Sequence, residues 1–195
     1  MLDADPAIVA RESAVLVVVD VQDRLADVVE RRDAVVSAIV KLVAVAAVLG
    51  VPIIATRQYP EGLGDCVAEL LDALDAARGA GADVRTVDKI AFDCTAEPAF
   101  AAALEELGAQ HIVVTGMETH ICVGQTALAL AVGRCTPHVV ADATCSRRAD
   151  DHEVALARLR ASHVDVTCSE AVIYEMLGRA ATDEFRAVLA IVKGA

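Results

Sequence analysis

The chain has 195 residues, 56% of them hydrophobic but only 3% aromatic, and carries a net charge of −12. That length suits one domain with a substantial core, so a single unit over residues 1–195 is predicted. The acidic charge and the lack of stacking rings argue against nucleic acid and anionic membranes as partners. The nearest approach to a membrane span, Val35 to Val51, is interrupted by Lys41. The opening MLDADPAIVARES lacks the basic and apolar regions of a signal peptide, so a soluble, cytoplasmic protein is expected. Cysteines at 66, 94, 122, 135, 145 and 168 form no C-x-x-C and no zinc-ligand spacing, which predicts free thiols, mostly acting as small buried hydrophobes.

Apart from the first ten or so residues, the whole chain reads as alternating strands and helices. Ala14 to Val19 is a continuous apolar run, as in a strand buried on both faces, with Asp20 at its carboxyl end. Helical composition over 32–49 stops at Gly50, and Val51 to Thr56 forms the second strand. RQYPEGLGD reads as a loop and 65–78 as a helix. Asp83 to Val87 is a weaker third strand, with Lys89 just beyond it. A helix over 97–107 leads to a fourth strand at Ile112 to Val114 and a sharp turn into a helix that begins near Cys122. His138 to Ala141 is the fifth strand, ending in Asp142, and a helix near 150–162 follows. Val164 to Thr167 is the sixth strand, Ser169 caps a helix to 177, and an amphipathic helix covers 182–193. Six strands alternating with helices predict an α/β three-layer sandwich, Rossmann-like, with a parallel six-stranded sheet.

Such folds bind ligands at the carboxyl ends of their strands. No G-x-G-x-x-G or phosphate loop occurs there, and Asp23 is one position off an Asp-x-Asp pair, so phosphate chemistry is disfavoured. Asp20, Lys89 and Cys122 remain, each following a strand. Singly, each is better explained as a cap, a solvated lysine or a core cysteine. Jointly they supply a carboxylate, a cation and a nucleophile on one rim. A helix start favours the thiolate of Cys122 over its thiol, and its free N–H groups suit an oxyanion.

The stretches LVVVDVQ, DKIAF and VTGMETHICVGQTA carry these residues, and with TRQYPEGLG and ADATCSRR they resemble the isochorismatase-like cysteine hydrolases. Within that family the chain most resembles the isochorismatase domain-containing proteins, which share the METH-I/V-CV form and the QYPEGLG loop. The resemblance implies a triad in which Asp20 shuttles a proton, Lys89 stabilises charge and lowers the thiol pKa, and Cys122 forms a thioester with an amide-like carbonyl. It implies an oxyanion hole from the backbone N–H groups of Glu118 and Cys122, a cis peptide between Met117 and Glu118, and a homo-oligomer, dimer or tetramer. Relatives that hydrolyse nicotinamide carry a metal site after the second strand; this chain has no histidine before His111, so no metal and no cofactor is expected. Relatives that cleave a vinyl ether lack the cysteine, which favours C–N cleavage here. Asp93 replaces the serine usual after Phe92 and adds a carboxylate near the rim.

The predicted substrate pocket comprises Gln22, Tyr59, Phe92, Met117 and Thr119. For Gln22, positioning the substrate or Asp20 weighs evenly against packing a loop. Core packing explains Phe92 as well as a pocket wall does. Thr119 reads more strongly as a brace of the turn than as a substrate contact. Arg147 and Arg148 read as partners of Asp150 and Asp151. The alternatives to a hydrolase are a non-catalytic oligomeric scaffold and a thiol redox protein.

Overall fold

The structure is a computed structural model and describes residues 8–194. The acidic amino-terminal stretch therefore lies largely outside the described residues. The strands are β1 (Ala14–Val19), β2 (Ile53–Gln58), β3 (Val84–Lys89), β4 (His111–Met117), β5 (Thr136–Cys145) and β6 (Asp165–Thr167). All pairs are parallel, in the order β3-β2-β1-β4-β5-β6. The helices begin with α1 (Asp23–Ala26), α2 (Arg32–Leu49), α3 (Pro60–Leu63), α4 (Ala68–Gly79) and α5 (Pro98–Glu106). They continue with α6 (Gly124–Val132), α7 (Ala149–Ala161), α8 (Ser169–Leu177) and α9 (Asp183–Lys193).

The apolar run of β1 is divided by strand alternation. Leu16 and Val18 pack with α2, α4, α8 and α9, and Val15, Val17 and Val19 pack with α5, α6 and α7. Both faces of the sheet are thus covered, which is why its central strands show no polar alternation. The chain runs outward from β1 to β3, then returns to β4 and runs the other way. The strand order therefore reverses between β1 and β4, where open α/β sheets form their ligand crevice.

Four strands extend further toward that rim than the composition suggests. β2 continues to Gln58, β3 to Lys89, β4 to Met117 and β5 to Cys145. Lys89 thus ends a strand instead of following one. Asp142 does not terminate β5; its carboxylate accepts from the backbone N–H and hydroxyl of Ser169. Ser169 consequently opens α8 as its first residue, Cys168 is the N-cap, and Asp142 serves the helix start from the neighbouring strand. The β4–β5 register shifts between Val114 and Gly116: Val114 pairs with Val139, but Gly116 pairs with Thr144. The shift brings the two strand ends level, with Met117 paired to Cys145, and so places Ser146 and Arg147 beside the turn that follows Met117.

Gly116 sits at this irregularity with φ +114°, against the end of β1. A Cβ there would lie 2.0 Å from the Val19 carbonyl oxygen and 2.6 Å from its nitrogen, so only glycine permits this approach. Gly116→Ala combines backbone strain with a clash against backbone. We expect it to cost about 3 kcal/mol or more, measured as a lowered urea midpoint; a midpoint equal to wild type would contradict this packing.

Candidate active site

Asp20 leaves β1 with φ 52°, a left-handed conformation uncommon for a residue with a Cβ, and its side chain is fully buried. Its Oδ1 accepts from the Thr56 hydroxyl at 2.7 Å. Its Oδ2 lies 2.7 Å from Lys89 Nζ in an ion pair with no solvent exposure on either side chain. The ammonium is not aligned as a hydrogen-bond donor to that oxygen, so Oδ2 has no hydrogen-bond partner of good geometry among the described residues. Lys89 donates instead to Gln58 Oε1 at 2.6 Å and to the carbonyls of Ala91 and Phe92 at 3.2 and 3.4 Å. Burial is the largest single influence and works against the lysine charge, but Asp20 with Cys94 and Cys122 together outweigh it and the pKa is raised. The cation is therefore fixed.

Cys122 exposes 4% of its surface beside this pair. The Met117–Glu118 peptide is cis, and Thr119–Val123 forms one wide π-helical turn before α6 begins at Gly124. The Glu118 carbonyl accepts from the N–H of Ile121 and of Val123, which closes the turn. Gly124 lies so close that a Cβ would be 2.7 Å from the Thr119 carbonyl oxygen. Burial pushes the Cys122 thiol well up; Asp20 adds to this by its charge and as an acceptor from the thiol, while Lys89 opposes it. This corrects the expectation of a lowered pKa. The helix start and the lysine are present, but in a closed site the neighbouring carboxylate and desolvation outweigh them. The resting pair is a thiol beside a carboxylate.

The pocket residues separate into two groups. Tyr59 and Phe92 stand exposed on the rim loops, as does Ile90. Gln22 is buried, and its amide braces the loop after β2, donating to the carbonyls of Gln58 and Gly64 and accepting from the Gln58 N–H. Met117 lies in the core packed with α2, and Thr119 is buried with its hydroxyl 2.8 Å from His152 Nδ1. The extra carboxylate Asp93 is engaged locally by the N–H and hydroxyl of Thr95. Arg147 pairs with Glu118, not with Asp150 or Asp151, because β5 delivers it to that turn. Thr56 and Gln58 hold Asp20 and Lys89 and were missed. Their signal was two polar residues at i and i+2, sharing one face at the end of a strand that begins apolar. All six cysteines are free; Cys168 is exposed and Cys135 half-buried, against the expectation of burial. Among the described residues, no group of three or more His, Cys, Asp or Glu is placed to hold a metal ion.

Because Asp20 raises the thiol pKa and Lys89 lowers it, their removal has opposite effects. At about pH 8, Asp20→Asn is expected to speed alkylation of Cys122 by iodoacetamide by about tenfold or more, and Lys89→Ala to slow it. Lys89→Ala also leaves a buried carboxylate unpaired and destabilises the fold by about 3–5 kcal/mol. Peptide mass spectrometry, with the exposed Cys168 as internal reference, reads both rates. Slower alkylation in Asp20→Asn would contradict the electrostatics described.

The Isochorismatase domain family model matches residues 14–171. The chain is 33% identical over 174 residues to isochorismatase domain-containing protein 1 of Salmo salar, covering 89% of this chain and 59% of that protein. It is 35% identical over 183 residues to isochorismatase domain-containing protein 2A of Mus musculus, covering 93% and 84% respectively. Among solved structures, the MAR1 ribonuclease of Caenorhabditis elegans superimposes with TM-score 0.86 at 26% identity, covering 95% of this chain and 92% of that one. On the family match and these identities, the chain belongs to the isochorismatase family.

Proposed function

We propose that the protein is a cysteine hydrolase that cleaves a small amide or related C–N bond through a thioester on Cys122. The observation that carries this reading is the buried Asp20–Lys89 pair against the Cys122 thiol. A scaffold gains nothing from desolvating two charges beside a cysteine. Asp20 takes the thiol proton as sulfur attacks the carbonyl carbon, so no free thiolate is needed beforehand. The oxyanion is held by the N–H groups of Glu118 and Cys122. As the tetrahedral species collapses, the C–N bond breaks and Asp20 returns the proton to the leaving amine. Water then attacks the thioester and gives a proton to Asp20; the carboxylic acid leaves and the sulfur recovers its proton. Lys89 stays charged and stabilises Asp20 whenever that group is a carboxylate.

The rim supports a substrate with an apolar portion. Tyr59, Ile90 and Phe92 expose 51%, 68% and 53% of their surfaces there, and the nearby carboxylates Asp93 and Glu97 are occupied by loop N–H groups. The neighbour from Caenorhabditis elegans bears the name of a ribonuclease, but a net charge of −12 favours a small neutral or cationic substrate over RNA here. Exposed Val132 on α6 and Val154 on α7 support self-association into a homo-oligomer.

The test is ammonia or amine release from a panel of aliphatic and aromatic carboxamides and ureides. Wild type is expected to hydrolyse at least one member, and Cys122→Ala to lose at least about 10³-fold in kcat. Equal rates in the two proteins, or cleavage of RNA alone, would overturn the reading.

A further inference from the structure

The turn bearing the nucleophile presents three consecutive side chains, and one other segment of the chain binds all three. The Glu118 carboxylate, buried, accepts from the Arg147 backbone N–H at 2.8 Å and from its guanidinium Nη2 at 2.7 Å, with Nε at 3.1 and 3.2 Å from its two oxygens. Thr119 Oγ1 is 2.8 Å from His152 Nδ1. His120 Nδ1 is 2.9 Å from Ser146 Oγ. Glu118, Thr119, Ser146 and His152 are all buried, while the Arg147 side chain reaches the surface with 53% exposure.

A surface loop needs no such set of contacts to be stable. A buried carboxylate is costly unless it is paired and hydrogen-bonded, so the turn is held in one position by the requirement that Glu118 keep its cation. The turn in question carries the backbone N–H of Glu118 and leads directly to Cys122. We propose that Ser146, Arg147 and His152 form a positioning clamp that fixes the Glu118–Cys122 turn against Asp20, with the Glu118–Arg147 pair as its principal member. The clamp holds the sulfur closed toward the carboxylate; released, the turn opens, the sulfur becomes accessible and the aligned geometry is lost.

This inference rests on Cys122 as the nucleophile, and its test reads the placement of the sulfur without requiring turnover. Iodoacetamide alkylation of Cys122 is followed well below the unfolding temperature in Arg147→Ala, Arg147→Lys, Glu118→Gln and the double variant Glu118→Gln/Arg147→Ala. Arg147→Ala is expected to be alkylated at least about tenfold faster than wild type while losing hydrolysis of any substrate found. Arg147→Lys restores part of the difference, since lysine keeps the charge but not the forked geometry. In the Glu118→Gln background, Arg147→Ala should add nothing further, because the two changes remove the same interaction. Val188→Ala, a core truncation in α9 on the opposite face of the sheet from Cys122, controls for general destabilisation and should leave the alkylation rate unchanged. A folded Arg147→Ala alkylated at the wild-type rate, or no faster than Val188→Ala, overturns the clamp. If Arg147→Ala does not fold, Ser146→Ala takes its place, and a wild-type alkylation rate there overturns the proposal equally. A failure of the hydrolase reading would appear separately, as hydrolysis by Cys122→Ala.

Discussion

Asp20 and Lys89 form an ion pair from which water is wholly excluded, and the rim of the sheet is arranged around the consequences. Two charges taken out of water are tolerated only where mutual attraction and surrounding hydrogen bonds replace hydration. Thr56 and Gln58 supply part of that replacement from β2, and the carbonyls of Ala91 and Phe92 supply the rest. The loop after β3 is therefore folded back over the ammonium, and the loop after β2 is fastened by Gln22. Each loop serves the pair before it serves a ligand.

The same desolvation explains the state of Cys122. In a more open site, a lysine and a helix start would favour thiolate. Here the thiol faces a carboxylate in a closed environment, and burial with Asp20 outweighs Lys89. Under the proposed mechanism, an acid–base pair poised in this way generates its nucleophile during attack, and the sulfur is not exposed as a reactive thiolate between turnovers. Three strands meet this requirement geometrically because the chain reverses between β1 and β4, and Gly116 lets them approach.

Much of this was legible in the sequence, and for a physical reason. A strand covered on both faces must be apolar throughout, so the run at Ala14–Val19 announced both the strand and the kind of sheet. Helix 32–49 was legible to the residue because Gly50 takes a left-handed conformation as its stop. Asp20, Lys89 and Cys122 stood out because each follows a predicted strand toward the same rim. The strand ends were less visible: Arg57 and Gln58 are polar and read as loop, although Gln58, like Thr56 before it, serves the ion pair inside the sheet. The Glu118–Arg147 pair depends on a register shift between β4 and β5, which local composition does not encode. Arg147 was accordingly assigned to the nearest acids in sequence. The thiol pKa was misjudged because helix position is local, whereas burial and the facing carboxylate are tertiary.

The central claim is that Cys122 bonds covalently to the substrate acyl group. Rapid quenching of the protein during turnover of a small amide, followed by intact-mass and peptide mass spectrometry, tests it directly. The account predicts an added acyl mass that maps to Cys122 and decays as substrate is exhausted. Hydrolysis that proceeds with no adduct, or with the adduct on any other residue, would contradict it.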